Sequence, residues 1–409
     1  MSNPAALGAL CYEAEASWAE DVTTFATHRI PIIGAVDASG LTHEKLAPDG
    51  VYQRRQEGSP HILGKIGGSF TTKIDWPGHG ATTAGSPSVD ALETFIALAT
   101  GVTAALSATA STTLTGGSAA APTTTASGTL SAGSVCFVGA LGDGDGDGQM
   151  YGIDTHVTTT LTLLNALRGA PVNGAVLYPA VMHSIAETPT TGAITGTRVL
   201  LQTANLQYEC HGCFPTGFTI SGTSPGERPQ LTITWAVSWW RYSTATFPSV
   251  VTSNRYNPAV IAAGSLHVQD VGTATRNERT LCRSFSIDYT LGVEPLIGNG
   301  GVNAYQTIVG ARRTTDKIKV TWTEDADAAT TTPILPGYGT ASTRKVVCWT
   351  GSTAIGSRIG ILLRSVCIDS VAIQKMDGNI NRLTTTGTAY TGATLTNDLT
   401  CSAFVMGSA

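Results

Sequence analysis

Residues 229–242, PQLTITWAVSWWRY, constrain the fold more than any other stretch of the chain. Leu231, Ile233, Trp235, Val237 and Trp239 fall on one side of an extended backbone, and Thr232, Thr234, Ala236, Ser238 and Trp240 on the other. A period of two belongs to a β-strand, whose successive side chains point to opposite faces. The pattern recurs in SFTTKIDW (Phe70, Ile74 and Trp76 against Thr71, Lys73 and Asp75), in LCRSFSIDYTL (Phe285, Ile287, Tyr289, Leu291) and in KIKVTWTED (Ile318, Val320, Trp322). Each such strand needs an apolar wall to bury one face, so the expected fold class is mainly β, built from sandwiches. One helix interrupts the strands: Ser86 is placed to cap it, Pro87 to start it, Leu92, Phe95, Ile96 and Ala99 form its stripe, and Gly101 ends it.

Composition agrees with extended structure and tight turns. Only 13% of the 409 residues are charged, against 46 glycines and 62 threonines. The net charge of −5 and the absence of a Lys/Arg cluster argue against tight nucleic-acid binding. The first residues lack a basic leader and a long apolar core, so neither a signal peptide nor a membrane span is expected, and the chain reads as one kept in a cytosol. The eight cysteines are spread through apolar, strand-like runs, which suits buried thiols better than a disulfide framework. None of the twelve asparagines begins an Asn-x-Ser/Thr sequon.

Length calls for more than one core. A small, polar, nearly uncharged stretch at 106–133, followed by a strand–turn–strand pattern, marks residues 109–180 as an inserted accessory β-module. The stretch 247–260 reads as a connector. The resulting division is 1–108 with 181–246 as a first domain, 109–180 as the module, and 247–409 as a second domain. GSFTTKIDWPG from Gly68 and RSFSIDYTLGV from Arg283 share a Ser-Phe start (Ser69–Phe70, Ser284–Phe285) and an alternation, which suggests a tandem duplication.

Motifs with chemistry are few. In GDGDGDG, residues 142–148, counting Asp143 as position 1 puts Asp145 at 3, Asp147 at 5, Gly148 at 6 and Asp154 at 12, close to a calcium-binding EF-hand loop. The flanks read as strands, which favours a bare hairpin tip over the metal. GTSPG (222–226) fits a nucleophile elbow around Ser224, but it lies between two strand patterns where the elbow needs a strand-to-helix turn. ECHGC places Cys210, His211 and Cys213 together without the second pair a zinc site requires. No catalytic constellation emerges, and no cofactor is expected.

The succession GKIGGSFTTKIDWPGHG, SPSVDALETFIALATG, YECHGCFPTGFTISGTSPGERPQLTITW, RSFSIDYTLGVEPLIG and IVGARRTTDKIKVTW resembles the major tail tube proteins of long-tailed, non-contractile bacteriophages. The resemblance implies tandem tail-tube-type β-sandwich domains with a flanking helix, and rings that stack into a hollow tube through which the genome passes. It implies that the chain's partners are itself, other tail proteins (tape measure, terminator and distal tail proteins) and DNA in transit without specific binding. Its place would be the virion tail, assembled in the host cytoplasm. Duplicated domains would make three subunits a pseudo-sixfold ring, whereas one tube domain per chain would require six subunits. Residues 109–180 would sit on the tube exterior. Residues 41–63 are expected to be a loop that staples one ring to the next. A negative lumen is expected to repel phosphates, with Glu324, Asp325 and Asp327 as candidate sources of its charge. The competing reading is a secreted, calcium-dependent β-sandwich adhesin or carbohydrate-binding module using Asp143, Asp145, Asp147 and Asp154. A hydrolase centred on Ser224 is a third.

Overall fold

The computed structural model describes residues 9–20, 29–34, 36–46, 62–76, 91–100, 103–108, 111–125, 130–139, 149–184, 194–202, 206–221, 224, 226–244, 246–247, 265–271, 278–279, 281–298, 308–314, 317–325, 344–352, 358–375, 381–389 and 404–408. They begin with β1 (Ala9–Ala14), β2 (Arg29–Pro31), β3 (Leu41–Leu46), β4 (Ile62–Asp75), the helix α1 (Ala91–Thr100) and β5 (Thr103–Leu106). There follow β6 (Thr112–Gly117), β7 (Pro122–Thr124), β8 (Val135–Val138), β9 (Met150–Val157), β10 (Thr160–Leu163) and β11 (Val176–Pro179). Next come β12 (Val181–Ser184), β13 (Thr197–Gln202), β14 (Gln207–Ser221), β15 (Gln230–Val237) and β16 (Trp239–Tyr242). The remainder is β17 (Ser265–Asp270), β18 (Cys282–Thr290), β19 (Val293–Ile297), β20 (Ile308–Arg313), β21 (Lys317–Asp325), β22 (Lys345–Ser352), β23 (Ile359–Lys375), β24 (Asn381–Ala389) and β25 (Phe404–Ser408). The protein is mainly β with antiparallel pairing throughout.

The long strand β14 organises the first half because it belongs to two sheets. Its first part pairs with β13 and β16, and its second part with β15. Gly212 bends it, with a φ of +56° that L side chains rarely adopt. A register shift between Pro215 and Gly217 bends it again. Proline has no amide hydrogen for a ladder, so a bulge is where a strand tolerates it. β15 in turn pairs with β4, and residues 33–34 and 36–46 run antiparallel along β4 through the Ile33 amide bond to Lys73 O, the Asp37–Thr71 bridge and the β3 ladder.

The second half repeats this pairing pattern in the same chain order. β1 against β13 recurs as β17 against β22, and β13 against β14 as β22 against β23. β14 with β16 and β15 recurs as β23 with β25 and β24. β15 against β4 recurs as β24 against β21. Registers coincide as well. The shift at Pro215/Gly217 reappears at Ile368/Ser370, with Ile220 opposite Leu231 in one half and Ile373 opposite Leu383 in the other. The run 33–46 along β4 corresponds to β18 and β19 along β20 and β21, so in each half the outer part of this ribbon extends as a hairpin arm. This topology equates β4 with β21. The Ser-Phe match in the sequence aligns β4 with β18 instead, a coincidence between two strands of similar composition.

Both halves share one core. Phe70, Trp235, Ile233 and Val199 of the first and Phe285, Trp322, Val347 and Leu363 of the second belong to a single buried cluster, which also takes Leu92, Phe95 and Ile96 of α1. The helix therefore buries Leu92, Phe95 and Ile96 of the stripe its sequence shows; Ser86 and Pro87 lie outside the described residues, as does Gly101. The alternation read through Trp240 breaks at Ser238, whose amide donates to the His211 carbonyl and whose hydroxyl donates to Gly212 O. As a result Trp239 and Trp240 are both buried rather than sharing out to opposite faces.

Strands β6 to β11 form a closed six-stranded barrel, β10-β7-β6-β11-β8-β9, around Leu114, Tyr151, Ile153, Leu161 and Leu177. It is docked on the second half. Val135, Phe137 and Met150 pack with Val346, Cys348 and Leu362, Met150 N donates to Thr350 Oγ1 at 3.0 Å, and Arg364 donates to Ile153 O at 3.0 Å. The strands flanking the barrel, β5 and β12, pair with each other, and β12 also pairs with β25. The stem of the insertion thus extends the second half's outer sheet, although in sequence it adjoins the first half.

Candidate functional site: the open sheet edges

The two halves meet through a short ladder. Gly217, Phe218, Thr219 and Ile220 of β14 face Thr290, Tyr289, Asp288 and Ile287 of β18. Phe218 stacks on Tyr289 with centroids 4.8 Å apart, Thr219 Oγ1 donates to Asp288 at 3.0 Å, and Ile220 and Ile287 are fully buried. The joint fuses the inner sheets of the halves into one sheet of eight strands, ordered from the 33–46 run through β4, β15, β14, β18, β21 and β24 to β23.

Such a sheet has two edges. Among the described residues, β23 beyond Val366 pairs only with β24, and the 36–46 run pairs only with β4. The β23 edge is the counterpart of the β14 edge used in the joint. Ile220 is fully buried there, while the equivalent Ile373 is 60% exposed. The run 36–46 is the counterpart of β18, with Leu41 opposite Gly68 where Tyr289 lies opposite Ile318. An unpaired edge bearing a large apolar side chain is a template for another strand. No alternation marked Ile373 in the sequence as unusual, because its exposure follows from which neighbour is missing. The signal available in the sequence was the second-half pattern, which repeats the first.

The face of this sheet turned away from the core is polar. Thr232 and Thr234 of β15, Thr321 and Thr323 of β21, and Thr384, Thr386 and Thr388 of β24 lie on it. So do Asp288 opposite Lys319, and Asp325, which is bonded to Arg283 Nε at 2.6 Å and paired with Arg382. These arginines hold the Asp325 carboxyl below its ordinary range, the Arg283 hydrogen bond being the larger cause.

The residues singled out in the sequence fall apart in space. Glu324 points into the interior of the second half, fully buried, and its carboxyl is pushed up by burial and lowered less by Arg279. It therefore adds no charge to a solvent-facing wall. Asp327 lies outside the described residues, as do Asp143, Asp145 and Asp147; Asp154 lies in β9. Among the described residues no cluster of three or more acidic, histidine or cysteine side chains could hold a metal ion. Ser224 sits between β14 and β15, its amide donating to Glu227 at 3.1 Å. Of residues 41–63, 41–46 and 62–63 are strand rather than loop, and 47–61 lie outside the described residues.

Cys210, His211 and Cys213 sit at the β14 bend. His211 stacks on Trp239 at 4.0 Å, and its ring nitrogens bond Glu20 O at 2.8 Å and Glu209 at 3.1 Å. Glu209 also accepts two hydrogen bonds from Arg241. Burial raises its pKa, but the bonds from His211 and Arg241 prevail and bring it to about 2. The seven described cysteines are thiols; burial pushes Cys136 and Cys282 up to about 12, far from a reactive thiolate. Among the described residues no helix is long and apolar enough to cross a membrane. No protein-family model matches the chain, and no curated protein matches it in sequence.

Proposed function

We propose that this chain is a structural protein that joins copies of itself into rings, and that the stacked rings form the tail tube of a long-tailed, non-contractile bacteriophage. One observation carries the reading: the molecule already contains one copy of a sheet-to-sheet joint and, among the described residues, leaves both halves of the same joint open at the ends of the sheet. Repeating it between molecules would set Ser370, Val371 and Ala372 of β23 against Thr42, Leu41 and Gly40 of the next copy. Covering Ile373 as Ile220 is covered would remove the remaining 60% of its surface from water, about 1–2 kcal/mol per contact. Equal joints turn the chain by equal angles, so head-to-tail pairing gives a ring where the turns sum to a full rotation, and never a branched aggregate. Three chains would supply six equivalent units. The sequence resemblance given above supplies the biological setting, a conduit for genome delivery.

Negative-stain microscopy of the purified protein should show rings or tubes of uniform bore. Directly opposed residues on antiparallel strands have Cα atoms about 4.5–5.5 Å apart, within disulfide range. A variant carrying Ser370→Cys and Thr42→Cys should therefore oxidise to a covalent ladder ending at the ring. Ile373→Asp should remain folded by circular dichroism and fail to assemble. A chain that stays monomeric at every concentration sinks the proposal.

A further inference from the structure

We infer that copies of this chain meet at a second place besides the β23 edge: the open edge of β16 takes a strand from the second half of the neighbouring copy. The inference rests on the proposed ring. The repeat equates β16 with β25. The ladder before them shifts at the same place in both halves, so that Val199 lies opposite Cys210 and Val347 opposite Leu363. Cys210 then faces Trp240 where Leu363 faces Phe404, and Tyr208 faces Tyr242 where Ile361 faces Met406. β25 has a strand on each side, β23 on one and β12 on the other, with His183 opposite Met406. Among the described residues β16 pairs with β14 alone.

The strand that covers β25 belongs to the stem, which adjoins the first half in sequence. The first half therefore supplies the second with a sheet edge, through β14, and with a strand, through β12. A ring that repeats the β14–β18 joint between copies repeats this contact with it: the half that presents β23 also delivers a strand, and β16 of the next copy receives it. In the chain the stem stands between β4 and β13, and the interval with that place in the second half is 326–344, between β21 and β22. The β16 edge has the marks of an uncovered site. Ser243 N donates to Gln207 O, and alternate residues of an antiparallel pair turn their amides the same way, so those of Trp240 and Tyr242 point away from β14. Such outward amides are a template for a further strand. Tyr242 is 62% exposed, although its ring meets those of Tyr208 and Trp240. Trp240 is buried, yet its Nε1, shielded from water, has no acceptor among the described residues. Buried donors without partners are rare, and an incoming strand can bring the missing acceptor.

Hydrogen exchange on the whole chain, read by mass spectrometry of peptides spanning residues 239–242, tests the contact. In assembled rings the amides of Trp240 and Tyr242 should exchange at least about tenfold more slowly than in the non-assembling Ile373→Asp variant. Tyr242→Pro removes one outward amide and leaves the ladder to β14 intact, since an edge strand tolerates proline. It should keep its circular dichroism and need at least about tenfold more protein than the unaltered chain to form rings. Tyr242→Ala, which loses the ring but keeps the amide, should need less protein than the proline variant. The inference is overturned if the two amides exchange equally fast in rings and in Ile373→Asp, if they are already slow in Ile373→Asp, or if Tyr242→Pro forms rings as readily as Tyr242→Ala. Failure of the tube reading shows separately and first, as absence of rings from the unaltered protein, which removes the ground of this inference as well.

Discussion

The interior of the second half buries an arginine and a glutamate that influence each other without a direct hydrogen bond, and replacing them should reveal their cost. Arg279 is 1% exposed and Glu324 fully buried, and none of their side-chain nitrogen or oxygen atoms that are shielded from water has a hydrogen-bond partner. Register equates Glu324, opposite Leu383, with Ile74, opposite Leu231. Removing one member of a buried pair strands the other charge and typically costs about 3–5 kcal/mol, whereas replacing both by apolar groups is neutral or stabilising by about 1–4 kcal/mol. Glu324→Ile alone should therefore lower the melting temperature by about 6 °C or more, and Arg279→Leu with Glu324→Ile should recover or exceed the starting value. The pH dependence has a definite sign. Burial raises the folded-state pKa of Glu324 above its unfolded value, so this group favours the folded state at low pH, and that contribution is lost as pH rises through the folded-state value. The double variant should lack this decline. Thermal melts monitored by tryptophan fluorescence between pH 4 and 8 provide the measurement. If Glu324→Ile alone were as stable as the unaltered protein, the buried charges would not be coupled and the reasoning would fail.

Three further outcomes follow from particular contacts. Gly212→Ala should destabilise by about 1–3 kcal/mol in denaturant titrations, because the left-handed backbone is strained for alanine and its Cβ would meet Ser238 Oγ at 2.4 Å; an unchanged midpoint would place the bend of β14 elsewhere. Glu209 behaves oppositely to Glu324. Its depressed pKa contributes stability above the ordinary carboxylate range that is lost as pH falls towards about 2, so Glu209→Gln should flatten the acid limb of the melting curve. Gly360→Leu would drive a side chain into Met150, whose Sδ would lie 2.7 Å from the new Cβ, and should make the barrel protease-sensitive at unchanged sandwich stability; equal digestion of both proteins would count against the docking described.

How much was legible in the sequence depended on whether local periodicity or long-range pairing decides a position. Leu231, Ile233 and Trp235, and likewise Phe285, Ile287 and Tyr289, announce their buried face because period two survives any choice of neighbour. Glu324 misled for the same reason in reverse. It continues the inward phase of Ile318, Val320 and Trp322, so the alternation places it inside, yet its charge suggested a wall. The exposure of the 368–373 stretch was not legible because the bulge at Ile368 shifts phase, and because among the described residues no strand pairs with its other edge. The repeat itself was detectable only as a vague echo; strand order and coincident bulges reveal it, and neither is written in local composition.

The stem formed by β5 and β12 has a mechanical corollary. Since chain from the amino-terminal part adds strands beside β25 and carries the barrel onto β22 and β23, scission of the backbone between residues 247 and 260 would leave the two pieces clasped by hydrogen-bonded ladders and a common interior. In the proposed tube, a subunit clasped in this way would keep its place in the wall after such damage.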